Sequence, residues 1–381
     1  MIELAKILQR FGPEYKKVYA GETTSDQLKT IWAIEHCRTE VMGGHLFRCQ
    51  ECDDLLYSYH SCKNRHCPKC GNDNAERWLT KQFSLLLPEN YHLVTFTLPH
   101  HLLKIVRYHQ ETIYRLLFKA SSESLKKLAL DPKFVGGQIG MVGVLHTWTR
   151  DLRYHPHVHY IVPGAGLTDD GEWIPADKRF LLPVKALSKI FKAKLRDLLQ
   201  KHGFLRAAQH QAFKKNWVVH SKPVGSGKAA LKYLAPYVYR VALTNNRIEK
   251  VENEQVTFRY RESDSGSLRK MTLPAIEFIR RFLQHVLPKG FHKIRYYGLL
   301  SPVKRDLLQR IKRLLVHRIA LDVILNTQIE TSQSEQVEPT NPKVLHCKRC
   351  GGILKLVMKI YPYHQRAPPI FIRCSKKIIP A

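Results

Sequence analysis

The 381-residue sequence predicts an α+β fold, with strands that carry polar motifs, helices between them, and a small cysteine-rich unit in front. Three observations lead there. Six of the nine cysteines fall between Cys37 and Cys70. From residue 91 onward, β-prone runs alternate with stretches whose apolar residues recur at three-to-four spacing. One run, "LRYHPHVHYIVPG" at 152–164, places His155, His157 and His159 at alternate positions. Side chains two apart in a strand share a face, and three imidazoles are poor core material because each brings polar nitrogens that need partners.

The elements follow in order. "YHLVTFTL" reads as a strand and residues 100–130 as two helices. "GQIGMVGVLHTW" and "RYHPHVHYIVP" are β-prone runs joined by the polar turn "TRDL", which predicts a hairpin. Residues 183–202 predict a basic amphipathic helix, "NWVVHSKP" a strand, and 226–240 a helix. A hairpin over 243–261 turns at "TNN" or "NEQ". It is followed by a helix over 273–287, a strand at "HKIRYYGL" and a helix over 303–325. The polar, proline-containing "NTQIETSQSEQVEPTNPK" reads as a linker. The predicted units are therefore 1–90 (N-terminal helix and metal-binding module), 91–325 (main domain), 326–345 (linker) and 346–381 (tail with a CxxC).

Charge narrows the partner. There are 62 Lys and Arg against 32 Asp and Glu, a net charge of +30. Such an excess destabilises a compact chain by self-repulsion unless a polyanion offsets it, and nucleic acid is the leading candidate. No run approaches the length of a membrane span, and the N-terminus lacks the apolar core of a signal peptide. A cytoplasmic protein is expected, so the cysteines read as metal ligands or free thiols rather than disulfides.

Cys49-x-x-Cys52 and Cys67-x-x-Cys70 have the spacing of a four-cysteine structural Zn²⁺ site, in which each turn supplies two thiolates to a tetrahedron. Cys37, His60, Cys62 and His66 are left as alternates or as part of a second site. Cys347-x-x-Cys350 is half a site, to be completed by Cys374 and His364. Lys63, Arg65 and Lys69 lie on the same knuckle and offer positive charge to phosphates.

In a hairpin turning at "TRDL", residues pair when their numbers sum to about 303. His146 then lies opposite His157, roughly 4.5–5.5 Å away on one face. His146, His157 and His159 converge on a divalent cation with open positions, and His155 is the spare ligand or a phosphate contact. Tyr233 and Tyr237, four apart in "GKAALKYLAPYVYR", share one face of a helix. They are either packing aromatics or nucleophiles able to attack phosphorus and hold a strand as a phosphotyrosine. Lys228, Lys232 and Arg240 would neutralise DNA phosphates beside them.

These motifs together resemble one family. His157-Val158-His159 is a His-hydrophobic-His motif. With the downstream tyrosine pair, the cysteine module and the phrases "YHSCKNRHCPKC", "FTLPH", "GGQIG", "LHTW", "YHPHVH" and "FLLPV", the chain resembles the rolling-circle, two-tyrosine transposases of the insertion-sequence-ninety-one family over most of its length. The resemblance implies an antiparallel-sheet nuclease domain flanked by helices, behind a ribbon-like zinc domain. It also implies Mg²⁺ or Mn²⁺ chemistry on single-stranded DNA at element ends and target, a 5′-phosphotyrosine, and replication and helicase functions supplied by host proteins. His157 and His159 match the family's metal pair, and Tyr233 and Tyr237 match its nucleophiles. Pro236 and Tyr239 depart from the pattern, which favours Tyr233 as the first nucleophile.

Two other readings share some of these features: a replication initiator or relaxase with the same chemistry, and a non-catalytic zinc-dependent nucleic-acid-binding protein. A carboxylate-dependent transposase lacks a clustered acidic pair. "VGSGKAA" has the wrong glycine spacing for a phosphate loop, and Lys228 is followed by Ala rather than Ser or Thr.

Overall fold

The computed structural model describes residues 2–70, 78–208, 211–229, 231, 242–262, 265–326 and 345–363. At its centre is a five-stranded, wholly antiparallel sheet in the order β12-β4-β5-β3-β8. Its strands are β3 (Asn90–Thr97), β4 (Gly140–Trp148), β5 (Tyr154–Pro163), β8 (Val219–Ser226) and β12 (Ile294–Gly298). The α+β expectation holds, and the predicted hairpin forms with Val142 opposite Ile161 and His146 opposite His157.

Alternation along the strands makes two unlike faces. Phe96, Leu145, Val158 and Tyr160 point into the main core, where α4 (Gln110–Ala129) contributes Tyr114, Leu117 and Phe118 and α5 (Val184–Lys201) contributes Phe191 and Leu195. The short α3 (Leu103–Tyr108) adds Ile105 and Val106 to the same core. Each fully buried apolar side chain of this size contributes roughly 1.5–3 kcal/mol, so this layer dominates the stability of the sheet. On the opposite face Tyr91, Leu93, Val144 and Ile161 pack with Trp78 and Leu231, leaving the histidine-bearing end of the strands beside them. A ribbon of β6 (Ala165–Leu167) and β7 (Trp173–Pro175) connects β5 to α5, and the one-turn α6 (Gln211–Lys214) connects α5 to β8.

A second core joins the N-terminal helices to the segment spanning residues 242–286. Helices α1 (Leu4–Val18) and α2 (Ser25–Glu35) pack with α7 (Ala275–Leu283) and with the sheet β9 (Ile248–Glu252), β10 (Gln255–Arg261) and β11 (Leu268–Pro274). Thr24 and Gln27 form a reciprocal capping box that starts α2. The predicted hairpin turns at Asn253 and Glu254, both at positive φ as a tight two-residue turn demands. The third strand, β11, lies beyond the hairpin that the sequence predicts. Apolar packing therefore crosses the boundary drawn at residue 90.

A third sheet has the order β13-β1-β2, from β1 (Gly44–Cys49), β2 (Leu55–Tyr59) and β13 (Leu354–Ile360). The C-terminal stretch, expected as a separate tail, pairs antiparallel with β1. Gly43 makes the approach possible. Its φ is +69°, and a Cβ there would lie 2.6 Å from the Ile360 carbonyl oxygen. The last helix, α8 (Arg305–Asn326), ends at the predicted linker, most of which (327–344) lies outside the described residues.

Candidate functional site

Three imidazoles meet on the sheet. The rings of His146, His157 and His159 have centroids 5.3, 4.8 and 4.7 Å apart, and one ligand nitrogen from each lies within 4.8 Å of the others. Hairpin pairing brings His146 to His157, and the two-residue strand repeat brings His159 to His157. His157 Nδ1 donates to the His155 carbonyl at 2.6 Å, and His159 Nδ1 shares a 2.8 Å hydrogen bond with Thr95 Oγ1. With each Nδ1 engaged, Nε2 is the nitrogen these two rings present to a cation. A hydrogen bond on the far nitrogen is what orients histidine ligands.

Burial, reinforced by His159, holds His157 well below the usual imidazole range, and burial followed by Lys222 brings His159 down to about 4. Both rings are therefore neutral near pH 7, the form that ligates a metal. The donor set, three neutral imidazoles, fits a divalent cation with open positions. His155 adjoins His157, with centroids 5.3 Å apart, but stands outside the three-nitrogen cluster.

Sequence reading missed Thr95, His220 and Lys222. Thr95 pairs with His159 on β5 and with His220 on β8, and Lys222 pairs with Leu93, so all lie on the histidine face. The available signal was the alternation in "VTFT" and "VHSK". The hairpin tip is clamped from behind. Leu152, fully buried at φ +64°, has its carbonyl bonded by Gln284 Nε2 at 3.1 Å and His285 Nε2 at 3.3 Å, just beyond α7.

Tyr233, Tyr237, Lys232 and Arg240, with Pro236 and Tyr239, lie outside the described residues. The chain turns helical at 227–229 as it leaves β8. Leu231, two residues before Tyr233, is buried in the same apolar cluster as Leu93, Val144 and Ile161. Lys228 is exposed.

The cysteines form two sets, neither of them the expected one. Cys67 and Cys70 join Cys37 and Cys62, with Cys37–Cys70 and Cys62–Cys70 sulfurs 3.5 and 3.6 Å apart. Cys49 and Cys52 join Cys347 and Cys350, with the Cys49–Cys350, Cys52–Cys350 and Cys52–Cys347 sulfurs at 3.4, 3.3 and 3.7 Å. Tetrahedral zinc with bonds of about 2.3 Å separates its sulfurs by about 3.8 Å, so both sets fit the ion. The expected quartet of Cys49, Cys52, Cys67 and Cys70 is split because β1 and β2 carry the first CxxC toward β13, while the second folds under α2. In the buried set, hydrogen bonds from Cys62 and Cys67 hold the Cys37 thiol far down. In the other, backbone N–H groups of Cys52 and Glu51 bring Cys49 down to about 7. Cys374 and His364, the partners expected for Cys347 and Cys350, lie outside the described residues.

The remaining alternates, His60 and His66, lie outside both sulfur sets. His66 Nε2 accepts from the Leu287 N–H at 3.2 Å, and burial brings it down to about 3. His60 is exposed beside His45 and belongs to neither sulfur set. Arg65, read as a phosphate contact, donates to the Phe291 and Pro288 carbonyls at 2.6 and 3.0 Å, and Lys69 pairs with Glu3 at 2.7 Å. Both side chains hold the knuckle onto its neighbours. Lys63 is exposed.

Residues 7–98 match a family described as "Transposase zinc-binding domain", and residues 140–306 match one described as "Putative transposase". The first span holds Cys37 to Cys70 and the second holds all three clustered histidines. The chain is 39% identical over 325 residues to "Putative transposase y4qJ" of Sinorhizobium fredii, covering 80% of this chain and 81% of that protein. It is 26% identical over 296 residues to the "Transposase for insertion sequence element IS801" of Pseudomonas savastanoi pv. phaseolicola, covering 72% of this chain and 70% of that one. No solved structure matches. A zinc-binding module followed by a transposase domain defines an enzyme that acts on DNA. The chain belongs to the insertion-sequence-ninety-one family of transposases, as the resemblance implied. Among the described residues no helix is long and apolar enough to cross a membrane.

Proposed function

We propose that this transposase cuts and rejoins single-stranded DNA at the three-histidine face, through a tyrosine-linked intermediate, in rolling-circle transposition of its element. The observation that carries the reading is the convergence of His146, His157 and His159 within 4.8 Å, with Leu231 in the apolar cluster of the same strands. Leu231 lies two residues before Tyr233 in the sequence, which supports the choice of that tyrosine pair as the nucleophile.

A divalent cation bound there, Mn²⁺ or Mg²⁺, supplies positive charge to an oxygen of the scissile phosphate. The protein residues supply the rest. Thr95 and the His155 carbonyl hold two of the three rings in place, and Lys222 adds a cationic group to the same face. A tyrosine phenolate oxygen attacks phosphorus, the bond to the 3′ oxygen breaks, and that oxygen takes up a proton. The strand is left as a 5′-phosphotyrosine with a free 3′ hydroxyl on the other fragment, and the bond energy is retained for transfer to target DNA. Tyr233 is the first candidate and Tyr237 the second. Lys228, Lys232 and Arg240 neutralise phosphates around it. Replication and strand separation come from host proteins.

The test is incubation of the protein with Mn²⁺ and a labelled single strand bearing the element flank, followed by a denaturing gel. The reading predicts a shifted band that is sensitive to EDTA and lost in Tyr233→Phe, Tyr237→Phe or the double variant. Binding without any covalent band would leave a zinc-dependent DNA-binding protein instead.

A further inference from the structure

The sheet β13-β1-β2 has one face that packs over a cysteine cluster and one that is largely exposed among the described residues. Phe47, Leu56 and Leu354 close over the sulfurs of Cys49 and Cys347 on the first face. On the second, strand register sets Leu46, Tyr57 and Met358 in one row, and Arg48, Leu55 and Lys355 in the next. Tyr57 is 52% exposed and Leu55 49%. The Tyr57 and Tyr59 rings lie nearly parallel, 27° apart with centroids at 6.0 Å. A soluble chain rarely leaves so apolar a surface open without a partner for it.

Charge identifies the partner. Residues 345–363 carry Lys348, Arg349, Lys355 and Lys359 and no Asp or Glu. The β1–β2 turn carries Glu51, Asp53 and Asp54, of which Asp53 meets Arg48 in an exposed ion pair at 2.8 Å, worth little in water. A second copy carries the same +30 charge and is repelled. Exposed aromatics interleaved with cations on an open sheet are the arrangement that stacks unpaired bases while tracking their phosphates, and base pairs in a duplex hide those faces.

We propose that this face is a binding platform for single-stranded DNA, with Tyr57 as its stacking residue and Lys355 as a phosphate contact. It is separate from the histidine site and is built from both ends of the chain, so that it exists only when Cys347 and Cys350 close on Cys49 and Cys52. The inference rests on the chain's being a transposase that handles single strands, but not on the cleavage chemistry.

The experiment is fluorescence anisotropy of labelled oligo(dT) with the zinc-loaded full chain. It is run without added Mn²⁺ or Mg²⁺, so that binding is read whether or not the histidine site cuts. Tyr57→Ala should weaken single-strand binding about 10-fold and leave duplex binding unaltered. Tyr57→Trp should retain affinity, and the emission of the introduced indole should fall as oligo(dT) is added. Lys355→Ala should reduce the slope of log affinity against log salt by roughly one. Unaltered single-strand affinity in Tyr57→Ala, with unquenched indole emission in Tyr57→Trp, would overturn the proposal. So would an equal loss on duplex, or a change in self-association alone.

Discussion

His146 and His157 face each other directly across the β4–β5 hairpin, with ring centroids 5.3 Å apart. The pairing follows from the turn. Once "TRDL" reverses the chain, antiparallel register brings the last histidine before it to the second histidine after it. His159, two residues further on, completes a set that no single strand could supply.

Replacing any one of these rings should therefore abolish metal-assisted cutting while sparing the fold. His159→Ala is expected to lower Mn²⁺-dependent cleavage by at least about 100-fold, more than the loss typical when only a supporting partner is removed. Zinc content and the thermal melt, measured on the same preparation, should be those of the unaltered chain.

Thr95 touches no metal in this account and acts through His159, to which it is bonded at 2.8 Å. Thr95→Val keeps the shape and removes the hydroxyl. Mn²⁺ titration should show affinity reduced by about 10- to 100-fold, with cleavage recovered at saturating metal. Thr95→Ser should restore most of it.

Arg65 separates structural from DNA-binding charge. Its guanidinium is spent on two carbonyls, so Arg65→Lys should destabilise the protein by about 1–2 kcal/mol, read by urea titration. The salt dependence of DNA affinity should not alter. A reduced salt slope at unaltered stability would return Arg65 to the phosphate contacts.

His285 predicts a pH dependence. Burial pushes it down to about 3 from an ordinary 6.5. Between those values the unfolded chain binds a proton that the folded chain refuses. Its contribution is thus full above about pH 6.5 and lost as pH falls toward 3. His285→Gln should flatten the decline in urea midpoint between about pH 7.5 and about pH 5, relative to the unaltered chain.

The two sulfur sets predict two zinc ions per chain, counted by elemental analysis. Cys350→Ser should remove one of them and free β13. Cys37→Ser should remove the other and loosen the core shared by α1, α2 and α7, because Cys37, Cys67 and Cys70 are buried within it.

Local relations were legible in the sequence, and distant ones were not. The histidine hairpin, the alternating strands and the long helices all follow from spacing and turn chemistry within a few tens of residues. The cysteine pairing failed because Cys49-x-x-Cys52 and Cys67-x-x-Cys70 have a spacing that suits one zinc, whereas Cys52 finds Cys347 across 295 positions. Nothing in a single sequence states that β13 returns to β1. The charges of Arg65 and Lys69 were visible, but the Pro288 and Phe291 carbonyls and Glu3 that occupy them come together only in the fold. Thr95 is one of several polar residues in β3, and only its hydrogen bond to His159 in the fold singles it out.

The most direct measurement is to digest the cross-linked product with trypsin and read the DNA-bearing peptide by mass spectrometry. Cleavage after Lys232 and Arg240 releases residues 233–240, which hold Tyr233, Tyr237 and Tyr239. The expected product is a nucleotide joined through its 5′-phosphate to Tyr233 or Tyr237, formed with Mn²⁺ and absent from His159→Ala. A DNA strand cut with no adduct on this peptide, or one joined through a 3′-phosphate, would contradict the proposal.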